Sequence, residues 1–129
     1  MPHVQLRPFL PAVVLCTLFS SACATAAVQS TDAQVPGTDY EATGILPCSM
    51  RTAPKTTQCN MGVKRLGGQR AVVDVTFPNG HKRSLYFNKG RVTSGKAKVE
   101  SKRDEDNTVV SIDGGSEVIR VPDAVIEGG

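Results

Sequence analysis

The sequence predicts a mainly β protein: a small antiparallel meander of about seven short strands, curled into an open sheet, a small barrel or a sandwich. Three observations point there. Apolar and polar residues alternate over short runs, turn-forming Gly, Pro, Asn and Asp interrupt those runs at close intervals, and no stretch holds a 3.6-residue apolar repeat. With 129 residues, no Trp and 5% aromatic content, the chain has room for one small domain, which excludes a large enzyme scaffold. Charged residues at 21% against 40% hydrophobic keep it out of the disordered class.

The chain begins with the marks of an export signal. Arg7 is the only fixed charge of a short n-region, the apolar FLPAVVLCTLF follows over residues 9–19, and small residues come next. Eleven residues broken by Pro11 fall short of the roughly 20 needed to span a bilayer. Two cleavage sites compete. Ser21 and Ala22 before Cys23 resemble the end of a bacterial lipobox, making residues 1–22 the signal and Cys23 an acylated first residue; Ser20 departs from the Leu that pattern prefers. Ala24-Thr25-Ala26 is a plain A-x-A site that makes residues 1–26 the signal and leaves no lipid. Residues 23–38, small and aperiodic with Pro36 and Gly37, read as a flexible tether, and residues 39–129 as the β domain.

Strands are expected near residues 40–45 and 58–65. Residues 71–77, AVVDVTF, place Val73, Val75 and Phe77 on one face; Pro78-Asn79-Gly80 turns the chain through an expected type I′ hairpin into residues 81–87. On that return run Leu85 and Phe87 share a face with Arg83, and Tyr86 shares the other with Lys82 and Ser84. Asn88-Lys89-Gly90 turns toward residues 91–93, residues 98–103 form a weaker strand, and two polar turns separate strands at 108–112 and 117–121. Ala124, Val125 and Ile126 leave the strand pattern after Pro122 and are expected to cap an open end of the sheet.

Cys16 falls in the signal and Cys23 at its end, so the domain keeps Cys48 and Cys59. An even pair in an exported chain reads as a disulfide, closing residues 49–58 as a stapled loop. A redox pair would want C-x-x-C, and a zinc site more Cys and His than remain.

From residue 40 onward the chain resembles a set of small exported bacterial proteins of uncharacterised function. The resemblance rests on the Cys pair, on Gly62-Val63-Lys64-Arg65-Leu66-Gly67-Gly68 as G-V-x-R-x-G-G, on the strand running into Pro-Asn-Gly, and on the closing PDAVIEGG. It implies an envelope location and a small β domain; it brings no activity and no site residues.

Charge is the remaining signal. Residues 48–103 hold 13 Lys and Arg against Asp74 and Glu100, a balance of +11, and residues 104–129 hold Arg120 against seven acids, a balance of −6. Two readings stay open: an anion-binding face built from Arg65, Lys82, Arg83 and Arg91, or basic and acidic strands that neutralise each other across one sheet. The partner expected for such a face is an anionic envelope component or an envelope protein. With Tyr40, Tyr86, Phe77 and Phe87 as its only aromatics after processing, the chain offers little stacking platform for nucleic acid.

Nothing else reads as a reaction centre. His81 reads as a solvated loop histidine; no G-x-S-x-G accompanies it. Asp104, Glu105 and Asp106 lack the spacing of a calcium loop, and Gly67-Gly68 lacks the Lys and helix of a phosphate loop, so neither metal nor cofactor is expected. The function expected is a non-enzymatic binding or inhibitory module at the periplasmic face, attached to a membrane only through a lipid on Cys23. The alternative is a small periplasmic enzyme such as a hydrolase with an unrecognised site. Oligomeric state is not legible.

Overall fold

The computed structural model describes residues 34–128. They form eight strands and one short helix: β1 Ala42–Met50, β2 Ala53–Gly67, β3 Arg70–Thr76, β4 Lys82–Asn88, β5 Arg91–Thr93, β6 Val99–Asp104, β7 Asn107–Ile112, β8 Glu117–Pro122 and α1 Asp123–Glu127. Every ladder is antiparallel and the spatial order is β5-β4-β3-β2-β1-β8-β7-β6. Sequence neighbours therefore pair all along the chain except β5 with β6, and β1 pairs with β8. The result is a nearly closed, barrel-like sheet. Eight strands stand against the expected count of about seven, and β5, three residues long, is the run at residues 91–93 expected after the Asn88-Lys89-Gly90 turn.

The period-2 pattern sets what fills the barrel. Ala71, Val73 and Val75 of β3 point inward, as do Leu85 and Phe87 of β4, Val110 and Ile112 of β7, and Ile119 and Val121 of β8. Each fully buried aliphatic side chain stabilises the fold by about 1.5–3 kcal/mol relative to exposure. Val73→Asp, which places a charge at a position 0% exposed, would break this core.

Turn chemistry corrects one expectation. At Pro78-Asn79-Gly80 only Gly80 has a positive φ, of 91°, and the closing bonds run from Phe77 N–H to the His81 carbonyl and from Gly80 N–H to the Phe77 carbonyl, each 2.8 Å. Pro78 has no N–H with which to close a two-residue loop, so pairing steps back to Phe77. Lys89-Gly90, both at positive φ, forms the tight turn between β4 and β5 instead.

Both ends of the chain fold back. Residues 35–38, expected as tether, make a hydrogen-bonded turn: Thr38 N–H donates to the Val35 carbonyl at 3.0 Å and Val35 N–H to the Tyr40 carbonyl at 2.7 Å. The Tyr40 ring then lies on Gly62, where an added Cβ would stand 2.5 Å from a ring carbon. At the other end α1 packs Val125 and Ile126 against the core while Ala124 stays exposed, so two of the three expected capping residues do the covering.

Candidate functional site

The disulfide is present. Cys48 and Cys59 lie on the neighbouring strands β1 and β2, diagonal across a ladder that pairs Leu46 with Cys59 and Cys48 with Thr57, and their Cα atoms are 5.9 Å apart. Both face the core and neither exceeds 2% exposure. Closing a ring of this size stabilises the fold by about 3 kcal/mol. The enclosed segment is not the loop expected. It is a β-hairpin turning at Arg51 and Thr52, and the first six residues of β2 are exposed, so its tip stands clear of the core. The exposed run from Ala53 to Gln58, APKTTQ, has no apolar alternation for a sequence reading to detect.

One end of the barrel carries the most structured polar group. Glu117 opens β8 in phase with Ile119 and Val121, and Arg83 stands in β4 in phase with Leu85 and Phe87, so both point inward. A carboxylate with 8% of its side chain exposed requires a partner. Arg83 supplies a two-pronged one: Nε donates to Oε1 at 2.8 Å and Nη2 to Oε2 at 2.6 Å. His81 Nε2 lies 3.0 Å from Oε2, and the His81 ring tilts against Phe77 with centroids 5.6 Å apart. Hydrogen bonding from Arg83, opposed by burial, holds the Glu117 carboxyl below the usual carboxylate range; the same contact raises the Arg83 guanidinium.

His81 is exposed and lies in the loop before β4, as expected of a solvated loop histidine; its contact with the buried Glu117 carboxylate is what the sequence reading missed. The signal that could have found it is phase: two opposite charges, Arg83 and Glu117, each stand at an inward position of a strand. Chemically, Arg83 engages both oxygens of the Glu117 carboxylate, so the imidazole shares Oε2 with a guanidinium. Among the described residues no group of three His, Cys, Asp or Glu side chains is placed to hold a metal ion.

Of the four residues expected to bind an anion, Lys82 and Arg83 line one groove, and Arg65 and Arg91 lie outside it. Arg83 is bound to Glu117. Arg65 Nε donates to the Val125 carbonyl at 3.0 Å, pinning α1 to β2. Lys82 and Arg91 remain exposed on the outer face of β4 and β5. The physical reason lies in the two kinds of cation. Arg51, Arg70, Arg103 and Arg120 are also hydrogen-bonded within the fold, to the Gly114 carbonyl, the Gly67 and Leu66 carbonyls, Asp123 and Asp104 respectively. A planar guanidinium with five donors suits such internal bridging, whereas a strongly hydrated ammonium stays in water. Accordingly, Lys64 is the one described lysine with an ion pair, to Asp39. Part of the charge segregation is therefore neutralised within the fold, between strands through Arg83–Glu117 and between β6 and α1 through Arg103–Asp123, and part is not.

Lys82 and Lys96 flank a groove between β4 and the β5–β6 connection, with a volume of about 490 Å³. Arg91 borders the adjoining groove of about 380 Å³ beyond β5. The half-exposed ring of Tyr86 lies on the same outer face, opposite Thr93 in the ladder. Cys23 and both cleavage sites lie outside the described residues. No described helix is long and apolar enough to cross a membrane.

No protein-family model, curated protein or solved structure matches this chain.

Proposed function

We propose that the chain is exported and acts as a non-enzymatic binding module at the periplasmic face of the cell envelope, meeting an anionic envelope component through Lys82 and Arg91 on the outer face of β4 and β5 and Lys96 in the β5–β6 connection. The observation that carries this reading is the division among the cations. Arginines of the basic segment are drawn into the fold, yet Arg91 has no ion pair or side-chain hydrogen bond, and Lys82 and Lys96 are likewise without one among the described residues. From Lys82 to Asn88, the residue opposite Arg91, the strand rises about 20 Å, which sets the cations of the two ends of β4 well apart on one outer face.

Recognition by exposed charges is screened over about 8 Å at physiological ionic strength, so binding must weaken steeply with salt. Binding to lipopolysaccharide and to vesicles containing anionic phospholipid, measured at low and moderate salt, tests this. The triple substitution Lys82→Gln, Arg91→Gln, Lys96→Gln is expected to abolish binding without changing the unfolding midpoint. Salt-independent binding, or none at low salt, overturns the reading. The mass of the mature N-terminus separates a lipid on Cys23 from cleavage before Ala27.

A further inference from the structure

We infer that a second copy of this chain pairs along the free edge of β6, antiparallel and centred on Ser101, so that the sheet continues from one copy into the next. β6 is hydrogen-bonded on one side only, to β7, and its last five residues are exposed. The ladder fixes which backbone groups are left over. Asp113 N–H donates to the Lys98 carbonyl across the directly opposed pair Lys98–Asp113, so in antiparallel alternation Glu100, Lys102 and Asp104 also address β7. Val99, Ser101 and Arg103 therefore present their N–H and C=O groups outward.

The chain's own β5 cannot use them. It is three residues long, and its tight turn to β4 makes Asn88–Arg91 and Tyr86–Thr93 its bonded pairs, leaving Val92 alone with both groups toward β6. A groove separates the two strands, and no ladder joins them. One residue cannot saturate three, and unpaired strand edges are templates for another chain.

Charge selects the occupant and the register. A second β6 can bond to the first only where Val99, Ser101 and Arg103 oppose one another. With Ser101 opposite Ser101 of the second copy, Glu100 faces Lys102 of the second copy and Lys102 faces its Glu100, while Lys98 and Asp104 pair in the same way on the flanks. Sliding by one allowed step in either direction places Glu100 opposite Glu100, or Lys102 opposite Lys102. Like charges directly opposed destabilise a ladder and opposite charges stabilise it, so the sequence VESKRD is complementary to itself in one register and repels itself in the neighbouring two. Among the described residues neither Glu100 nor Lys102 has a side-chain partner.

Sedimentation of the purified full chain tests the pairing. A concentration-dependent dimer is expected. Lys102→Glu should weaken it by about tenfold or more, and the double exchange Glu100→Lys with Lys102→Glu should restore it, a rescue that a different partner strand or a different register would not give. Ser101→Pro removes an outward N–H without touching the β7 ladder and should leave a folded monomer. Ser101→Cys should crosslink two copies under mild oxidation, because opposed residues of a bonded pair stand within disulfide reach. A monomer at all accessible concentrations, or a dimer indifferent to Lys102→Glu and Ser101→Pro, overturns the inference.

Discussion

The barrel has two places where its circuit must be completed, and they are built oppositely. At β1–β8 three pairs, Cys48–Ile119, Ser49–Val118 and Met50–Glu117, join residues about 70 apart in sequence. Around them sit the disulfide, the Arg83–Glu117 clamp and two bonds from Arg51, its N–H to the Ser116 carbonyl at 2.9 Å and its guanidinium to the Gly114 carbonyl at 3.1 Å. At β5–β6 a short connection links the strands and no ladder forms. Loop-closure entropy accounts for the difference. Bringing distant residues together costs more than holding neighbours, so strong interactions concentrate where the closure is long, and the short connection tolerates an open seam.

Breaking the long closure should therefore cost most. Cys48→Ala is expected to lower stability by about 2–5 kcal/mol in denaturant unfolding, combining the lost crosslink with a cavity beside Ile119. Hydrogen exchange should show β1 and β8 opening before β3 and β4. An equal loss of protection in all strands would refute the localisation. Glu117→Gln comes next, at about 2–3 kcal/mol, because Arg83 loses its counter-charge at a site where 19% of its own side chain meets solvent. The same pair fixes an acid limit. Since the folded Glu117 carboxyl lies below its unfolded value, its stabilisation is full above the ordinary carboxylate range and is lost as pH falls through the folded value. Glu117→Gln should flatten that part of the acid unfolding curve, and an unchanged curve would show that other carboxylates set it. At the seam, Thr93→Ala should change stability by no more than about 0.5 kcal/mol, measured in dilute protein.

How much of this was legible in the sequence follows from the range of the interactions involved. Local signals read well: alternation in AVVDVTF and EVIRV marks β3 and β8, Asn88-Lys89-Gly90 marks a turn, and the even pair Cys48 and Cys59 marks the disulfide. The pairing of β1 with β8 was not legible, since no local pattern states which distant strand completes a sheet, and curled sheet, barrel and sandwich share one alternation. The hairpin at residues 49–58 was hidden because its exposed strands have no apolar face. Of Arg65, Lys82, Arg83 and Arg91, the first and third turn to partners within the fold and the other two stay outward, for a related reason. Composition counts charges, whereas phase along a strand decides which of them meet water, and Arg83 stands on the inward phase. The Pro78 turn was misread because Asn-Gly was weighed without the missing N–H of the residue before it.

A site away from both closures calibrates the comparison, and Gly62 is that site. Its missing Cβ admits the Tyr40 ring onto the outer face of β2, where the hydroxyl donates to Asp74 Oδ2 at 2.7 Å. That bond, with burial and the Asp74 charge adding to it, pushes the Tyr40 phenol up to about 12. Because the folded value is raised, the stabilisation is complete below the ordinary phenol value near 10 and disappears as pH rises through about 12. Gly62→Ala would set a methyl group 2.5 Å from the ring, so the ring must leave Asp74. The expected cost is about 1 kcal/mol, that of one net hydrogen bond, with the β1–β8 ladder and the disulfide undisturbed. Phenolate absorbance should then show Tyr40 ionising near its ordinary value, and Tyr40→Phe should remove the late-ionising group from the titration altogether. If the unsubstituted protein shows no tyrosine ionising late, the Tyr40–Asp74 bond does not persist in solution. If Gly62→Ala instead costs as much as Cys48→Ala, stability is spread evenly round the sheet, and the contrast between the two closures fails with it.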